Sequence, residues 1–155
     1  DSCLKRLGRT LETLPWSELN TLDYILVEYV GENDLGGLTL GDLEKLRRLC
    51  RVPLILAHPN IERLTESLPL NLIVEVLRRH HVALEIPAGT RNEWFWNRID
   101  PAPLRRIALT IGTDTHHDLA EVADIERTLA FLTRTGLDKN LATPDTLASA
   151  SGGAL

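Results

Sequence analysis

Short apolar runs alternate along the chain with longer stretches in which apolar residues recur at helical intervals. The runs are rich in Ile, Leu and Val, which is typical of β-strands, and the stretches between them show the period of an α-helix. The four clear runs cover residues 24–30, 53–57, 82–86 and 107–111, and a weaker fifth run lies near Leu141. This pattern predicts a series of strand–helix units.

Capping residues mark the ends of the predicted helices. Thr39 precedes the first helical stretch and Asp42 follows three residues later, which is the pattern of a capping box. A second helix is predicted over residues 70–80. The last helix is predicted to begin after Asp118 and to end at Gly136, a suitable C-terminal cap. Its capping box and apolar stripe are completed by Glu121, Val122, Ile125, Leu129 and Leu132.

The strand runs are apolar throughout, which indicates strands covered on both faces and hence a parallel sheet. Alternation of strands with helices gives an α/β fold, either an open doubly wound sheet or a (β/α) barrel. A complete eight-unit barrel needs about 250 residues. The chain has 155 residues. It is therefore predicted to form a single domain over 1–155 that is too short to close such a barrel by itself.

Composition and charge narrow the classes of function. Apolar residues make up 43% and charged residues 25%, as in ordinary globular domains. A net charge of −5 argues against a general nucleic-acid-binding surface. No apolar run approaches the roughly 20 residues that span a membrane. Cys3 and Cys50 suggest no disulfide framework, so we expect reduced thiols and a cytoplasmic location.

Side chains that can bind metals occur at or near the ends of the predicted strands. Glu28 lies inside the first run, His58 ends the second, Glu85 lies in the third, and Asp114 and His116 follow the fourth. Parallel α/β folds carry their sites at the carboxyl ends of their strands. We therefore expect these side chains to share one site.

The residue types at these positions suit a divalent metal. In extended backbone Asp114 and His116 would point to the same side, and could present an oxygen and a nitrogen to one ion. Such ligands suit Zn²⁺, Mn²⁺ or Fe. Each residue taken singly also has a structural interpretation: Glu28 as a half-exposed edge residue, His58 as the end of a strand, and Asp114 as a turn residue.

Other catalytic signatures are missing from the sequence. It contains no glycine-rich phosphate-binding or dinucleotide-binding motif and no G-x-S-x-G elbow. Neither cysteine lies in a sequence context that favours a nucleophile. A metal-activated water is the nucleophile that remains.

At these positions the sequence resembles the polymerase and histidinol phosphatase (PHP) superfamily of metal-dependent phosphoesterases. The resemblance covers about residues 22–147. Residues 24–28 with 55–59 are also similar to the branch that contains the manganese-dependent tyrosine phosphatases associated with bacterial capsules. The matching segments are Leu56-Ala-His58-Pro59, Ala83-Leu-Glu-Ile86 and Ile111-Gly-Thr-Asp114-Thr-His116.

The resemblance implies a distorted seven-stranded (β/α) barrel, with parallel strands and outer helices, around two or three metal ions. Glu28, His58, Asp114 and His116 match metal-ligand positions of the family. The H-x-H pair that the family carries on its first strand does not occur in this sequence. We therefore expect the chain to be a partial barrel, N-terminally truncated, and the absence of any methionine agrees with this.

The implied activity is hydrolysis of a phosphoester, on a small phosphorylated substrate or a phosphoprotein. Arg63 or Arg91 could hold the phosphate, and His117 could protonate the leaving oxygen. Two alternatives stay open: a non-catalytic PHP-like structural or interaction module, and another metal hydrolase such as an amidohydrolase. The exposed edge of a partial barrel also predicts pairing of two copies of the chain.

Overall fold

The computed structural model of the protein describes residues 10–32, 37–88, 98, 100–114 and 125–151, the last four of them through their backbone alone. Short strands alternate with helices along these ranges, and 3₁₀ turns lie between them. The strands are β1 (Ile25–Val27), β2 (Leu54–Leu56), β3 (Val82–Pro87) and β4 (Leu109–Gly112). The helices are α1 (Trp16–Leu19), α2 (Asp42–Leu49), α3 (Ile61–Ser67), α4 (Leu70–Arg79), α5 (Ile125–Thr135) and α6 (Pro144–Ser151).

The strands form one four-stranded sheet in which chain order and spatial order are the same. All three pairings are parallel. Ile25 of β1 lies opposite Leu54 of β2, and Leu54 lies opposite Val82 of β3. The predicted α/β class and the parallel sheet are therefore confirmed.

The fifth predicted run contacts β4 without forming a strand of its own. Leu141 makes a single parallel bridge to Leu109, and the Ala142 amide donates a hydrogen bond to the Leu109 carbonyl at 2.8 Å. The run therefore continues the sheet by one bridge beyond β4.

The main core lies on one face of the sheet. Alternate residues of a strand point to opposite faces, and Leu54 and Leu56 of β2 belong to the core cluster whereas Ile55 between them does not. The strand β3 shows the same alternation. The helices complete the cluster with Leu43, Leu46, Leu64, Ile73, Leu77 and Leu132. The helices that supply these residues therefore pack on the same face.

The prediction that every strand is covered on both faces is wrong for β1. Strand β2 is buried throughout, but Leu26 in the middle of β1 is 47% exposed. Within the described ranges β1 is an edge strand, and Leu22 and Tyr24 just before it are also exposed. An apolar row consisting of Leu22, Tyr24 and Leu26 therefore faces solvent at this edge.

The predicted helix α2 is confirmed, and Thr39 and Asp42 are hydrogen-bonded to each other as predicted, but the N-cap of the helix is Gly41 rather than Thr39. The Asp42 carboxylate accepts hydrogen bonds from the Thr39 amide at 2.8 Å and from the Thr39 hydroxyl at 2.7 Å. The Asp42 amide donates to the Thr39 hydroxyl oxygen at 3.3 Å. These reciprocal bonds satisfy donors that the first turn of a helix leaves unpaired.

Helix α5 ends as predicted, although its buried stripe differs from the prediction. Gly136 adopts a φ of 70°, and the Leu137 amide donates to the Leu132 carbonyl at 2.8 Å, which closes the helix. Leu129, expected in the buried stripe, is 39% exposed, because the buried face of the helix runs instead through Thr128, Phe131 and Leu132. Asp118, Glu121 and Val122 lie outside the described residues.

The helix predicted over residues 70–80 is confirmed as α4, and it packs against β3. Among the described residues, no helix is both long enough and apolar enough to cross a membrane.

Candidate functional site

Three predicted side chains converge at the carboxyl edge of the sheet. The Nε2 atom of His58 lies 3.7 Å from an Oε1 oxygen of Glu28 and 3.7 Å from an Oδ1 oxygen of Asp114. These residues follow β1, β2 and β4, so strands separated by tens of residues supply one cluster. Both distances exceed the usual length of a hydrogen bond. The imidazole therefore lies between two carboxylates without bonding directly to either.

A residue in left-handed backbone follows three of the strands at the same position. Tyr29, His58 and Asp114 are each the second residue after the end of a strand, and their φ angles are 57°, 28° and 47°. Left-handed backbone is unfavourable for residues other than glycine. Backbone strain of this kind is concentrated at functional sites in proteins. These turns lie at the strand ends, next to Glu28 and at His58 and Asp114 themselves.

Tyr29 contacts the ring of His58. The two ring centres lie 6.5 Å apart, and the ring planes meet at 86° in an edge-to-face arrangement. Aromatic pairs favour this geometry, which limits the rotation of the imidazole. The tyrosine therefore helps to fix the direction in which His58 presents Nε2.

Glu85 lies on β3 beside this cluster. It is only 8% exposed, and its Oε1 oxygen accepts a hydrogen bond of 3.0 Å from the backbone amide of His58. Its carboxylate also lies against the Cα atom of Gly112, where an added Cβ atom would fall 2.1 Å from Cδ of Glu85. One buried side chain therefore connects the ends of β2, β3 and β4.

The surroundings of Glu85 act on the pKa of its carboxyl group in both directions. Burial raises the pKa of the Glu85 carboxyl above its usual range, because a charged carboxylate loses hydration there. The amide and the imidazole of His58 act in the opposite direction, and the charges of Asp114 and Glu28 raise the pKa further. The carboxylates of Glu28 and Asp114, one on each side of the imidazole, produce a negative field that attracts a cation.

The donor set fits a divalent metal in its chemistry. Two donors of a common tetrahedral ion, each about 2.1 Å from it, lie about 3.4 Å apart. The 3.7 Å separations from His58 to Glu28 and to Asp114 are close to that value. Among the described residues, however, no group of three or more His, Cys, Asp or Glu side chains is already arranged to hold a metal ion. The cluster therefore offers suitable donor types and two suitable separations, while its described residues do not form a complete ligand group.

The remaining predicted site residues have different outcomes. His116, His117 and Arg91 lie outside the described residues. Arg63 is exposed in the first turn of α3, the helix that follows His58, and its amide donates to the Asn60 side chain at 3.0 Å. That helix begins at Ile61.

One sequence argument about the site is wrong in detail. Asp114 does not lie in extended backbone, because β4 ends at Gly112 and the φ of Asp114 is positive. The argument that extended backbone aligns Asp114 with His116 therefore does not hold at Asp114. Glu28 has a side chain that is 37% exposed beside the edge strand β1, which agrees with its structural interpretation as a half-exposed edge residue.

The buried carboxylate of the site is Glu85, and its central position was not predicted. The signal was present in the sequence, because Val82, Leu84 and Ile86 share one face of β3 and Glu85 must point to the other. Burial of both faces of this strand then encloses the carboxylate. The Glu85–Gly112 contact depends on the strand register, in which Glu85 pairs with Thr110.

A cavity of about 120 Å³ lies at the opposite end of the sheet. Pro53, Val82 and Ile107 line it near the amino ends of three strands, and none of the candidate site residues does. The two arginines beside it, Arg78 and Arg106, both pair with Glu75. This cavity is therefore separate from the carboxyl-edge cluster.

Comparisons of the chain with protein-family models, with curated proteins and with solved structures found no match in any of the three.

Proposed function

We propose that the chain forms part of a metal-dependent phosphoesterase, with its active site at the carboxyl edge of the sheet. The observation that carries the proposal is the position of His58, whose Nε2 atom lies 3.7 Å from a carboxylate oxygen on each side. An imidazole between two carboxylates at the ends of parallel strands is a donor set suited to Mn²⁺, Zn²⁺ or Fe.

The sheet topology supports a partial (β/α) barrel of the PHP type for this domain. The strand order β1-β2-β3-β4 never reverses, and the core helices lie on one face. A doubly wound sheet needs a reversal of strand order and helices on both faces. Right-handed crossovers that always advance in one direction place every helix on the same side, as on the outside of a barrel.

In this proposal Glu28, His58 and Asp114 hold the ion, together with His116. When bound, a divalent ion supplies a water of lowered pKa as the nucleophile and positive charge for the phosphoryl oxygens. The His58 ring must keep a fixed orientation to bind the ion. Tyr29 limits rotation of the same ring through the edge-to-face contact.

The arginines and His117 are assigned to the substrate. Arg63 or Arg91 would bind the phosphate of a small phosphorylated molecule or a phosphoprotein, because a guanidinium matches two phosphate oxygens at once. His117 would donate the proton that the leaving oxygen requires.

The proposal is tested by metal content and by Mn²⁺-dependent hydrolysis of p-nitrophenyl phosphate. We expect Asp114→Asn and His116→Ala to lose metal and at least about 100-fold in turnover, since both remove ligands. Asp23→Asn is the matched control, because Asp23 is exposed at the amino end of β1. Unchanged metal content and turnover in both site variants would overturn the proposal.

The second candidate function is a non-catalytic module with the same fold. It is favoured by the incomplete ligand group among the described residues and by a sequence that lacks H-x-H. A module of this kind would take up no stoichiometric Mn²⁺ or Zn²⁺ and hydrolyse no phosphoester. The same assays on the unsubstituted protein therefore separate the two functions.

A further inference from the structure

We infer that Glu85 is a positioning residue for His58, acting through the backbone amide of the histidine. The inference rests on the proposed function, because it assigns a role in preparing the same metal site. Glu85 would touch neither the ion nor the substrate. Its role is to hold the chain at His58 so that the imidazole remains between Glu28 and Asp114.

The backbone of His58 needs such a partner. Its φ of 28° lies in a region that residues other than glycine rarely adopt. Strain of this kind persists only where surrounding contacts fix it. The 3.0 Å hydrogen bond from the His58 amide to Glu85 Oε1 is the contact that fixes it from the neighbouring strand. A hydrogen bond to a carboxylate is stronger than one between neutral groups.

Gly112 confines Glu85 to this position. A Cβ atom on residue 112 would lie 2.1 Å from Cδ and 2.3 Å from both carboxylate oxygens of Glu85. The carboxylate therefore occupies the space that any other residue at position 112 would fill. Because Gly112 ends β4 and Asp114 follows two residues later, the same contact connects Glu85 to the segment that carries Asp114.

Burial of the Glu85 carboxylate costs free energy unless a hydrogen bond replaces part of its lost hydration. A carboxyl group that is 8% exposed loses most of its hydration, and the amide of His58 replaces part of it. A leucine or methionine at position 85 would fill the space at lower cost in hydration. The hydrogen bond from the His58 amide therefore explains why a carboxylate, rather than an apolar side chain, stands at position 85.

The test compares Glu85→Gln with Glu85→Met. Glutamine keeps an acceptor oxygen of nearly the same shape, whereas methionine fills a similar volume and accepts no comparable bond. We expect Glu85→Met to speed hydrogen exchange of the His58 amide about tenfold relative to the Leu56 amide, since one hydrogen bond is lost. Mn²⁺ affinity should fall roughly 10- to 100-fold in the same variant. Glu85→Gln should restore both to within a few fold.

Ile107→Ala is the control for general destabilisation, because Ile107 is a core residue before the amino end of β4. It should lower the melting temperature without changing the His58 exchange ratio or the Mn²⁺ affinity. Equal Mn²⁺ affinity in Glu85→Met and the unsubstituted protein would overturn the inference and leave the proposed function standing. If Glu85→Met does not fold, Glu85→Gln still decides, because a loss of exchange protection in that variant also contradicts the inference.

Failure of the proposed function gives a different pattern. An unsubstituted protein that binds no metal overturns the phosphoesterase proposal, and with it the role of Glu85 in metal binding. The exchange ratio of the His58 amide would still report whether Glu85 fixes the backbone of the histidine.

Discussion

At the scale of single residues, the contact between Glu85 and Gly112 decides how the strand ends meet. The carboxylate lies where a Cβ atom of residue 112 would be, and its oxygen receives the amide of His58. A glycine is therefore required for reasons of space, since Gly112 is not among the residues with positive φ. His58 and Asp114, in contrast, adopt left-handed backbone although both carry side chains, so two residues of the candidate site have strained backbone.

A substitution tests this contact. Gly112→Ala should lower the free energy of unfolding by about 2–3 kcal/mol, because its methyl group would overlap the Glu85 carboxylate and displace it from its buried position. Gly41→Ala is the matched control, since its added Cβ would meet its nearest neighbour, the Thr39 hydroxyl oxygen, at 3.6 Å. Urea unfolding of both variants gives the comparison, and equal stabilities would show that the contact is loose.

At the scale of elements, the positions of the four strands and of α2, α4 and α5 were predicted, whereas α1, α3 and α6 and the lengths and exposure of the strands were not. The run over residues 24–30 yields only Ile25–Val27, because the chain turns left-handed at Tyr29. The apolar run continues through Tyr29 to Val30, so the hydrophobic pattern does not show where the strand ends. Exposure of Leu26 was equally hidden, because an edge strand and a central strand can have the same apolar sequence.

The exposed edge strand predicts association of the chain with itself. The row formed by Leu22, Tyr24 and Leu26 should pair with a second copy at micromolar concentration, because it joins an apolar surface to an open strand edge. Leu26→Lys should abolish the pairing. Leu72→Lys is the matched control, since Leu72 is a comparably exposed leucine on α4.

Sedimentation velocity across a concentration series measures this association. Asp23 and Glu28 flank β1, so added salt should strengthen the pairing by screening their repulsion. A clean monomer at all concentrations, for the unsubstituted chain and both variants, would contradict the prediction.

At the scale of the whole molecule, one rule of parallel sheets correctly predicted most of the cluster. Carboxyl ends of parallel strands meet at one edge, so Glu28, His58 and Asp114 come together although they are far apart in sequence. The contact of Glu85 with Gly112 could not be predicted, because it depends on the register between β3 and β4. Because all strands run in the same direction, the carboxyl-edge cluster and the cavity at the amino ends lie at opposite ends of the sheet.

The central claim, that this cluster binds a divalent metal, is tested most directly by calorimetric titration of two matched variants with Mn²⁺. His58 and His81 are both histidines with positive φ, at 28° and 51°, but they lie at opposite ends of the sheet. Asparagine tolerates left-handed backbone at either position. We predict that His58→Asn weakens Mn²⁺ binding at least about tenfold, whereas His81→Asn binds as the unsubstituted protein does. Equal affinity in the two variants, or no Mn²⁺ binding by the unsubstituted protein, would contradict the account.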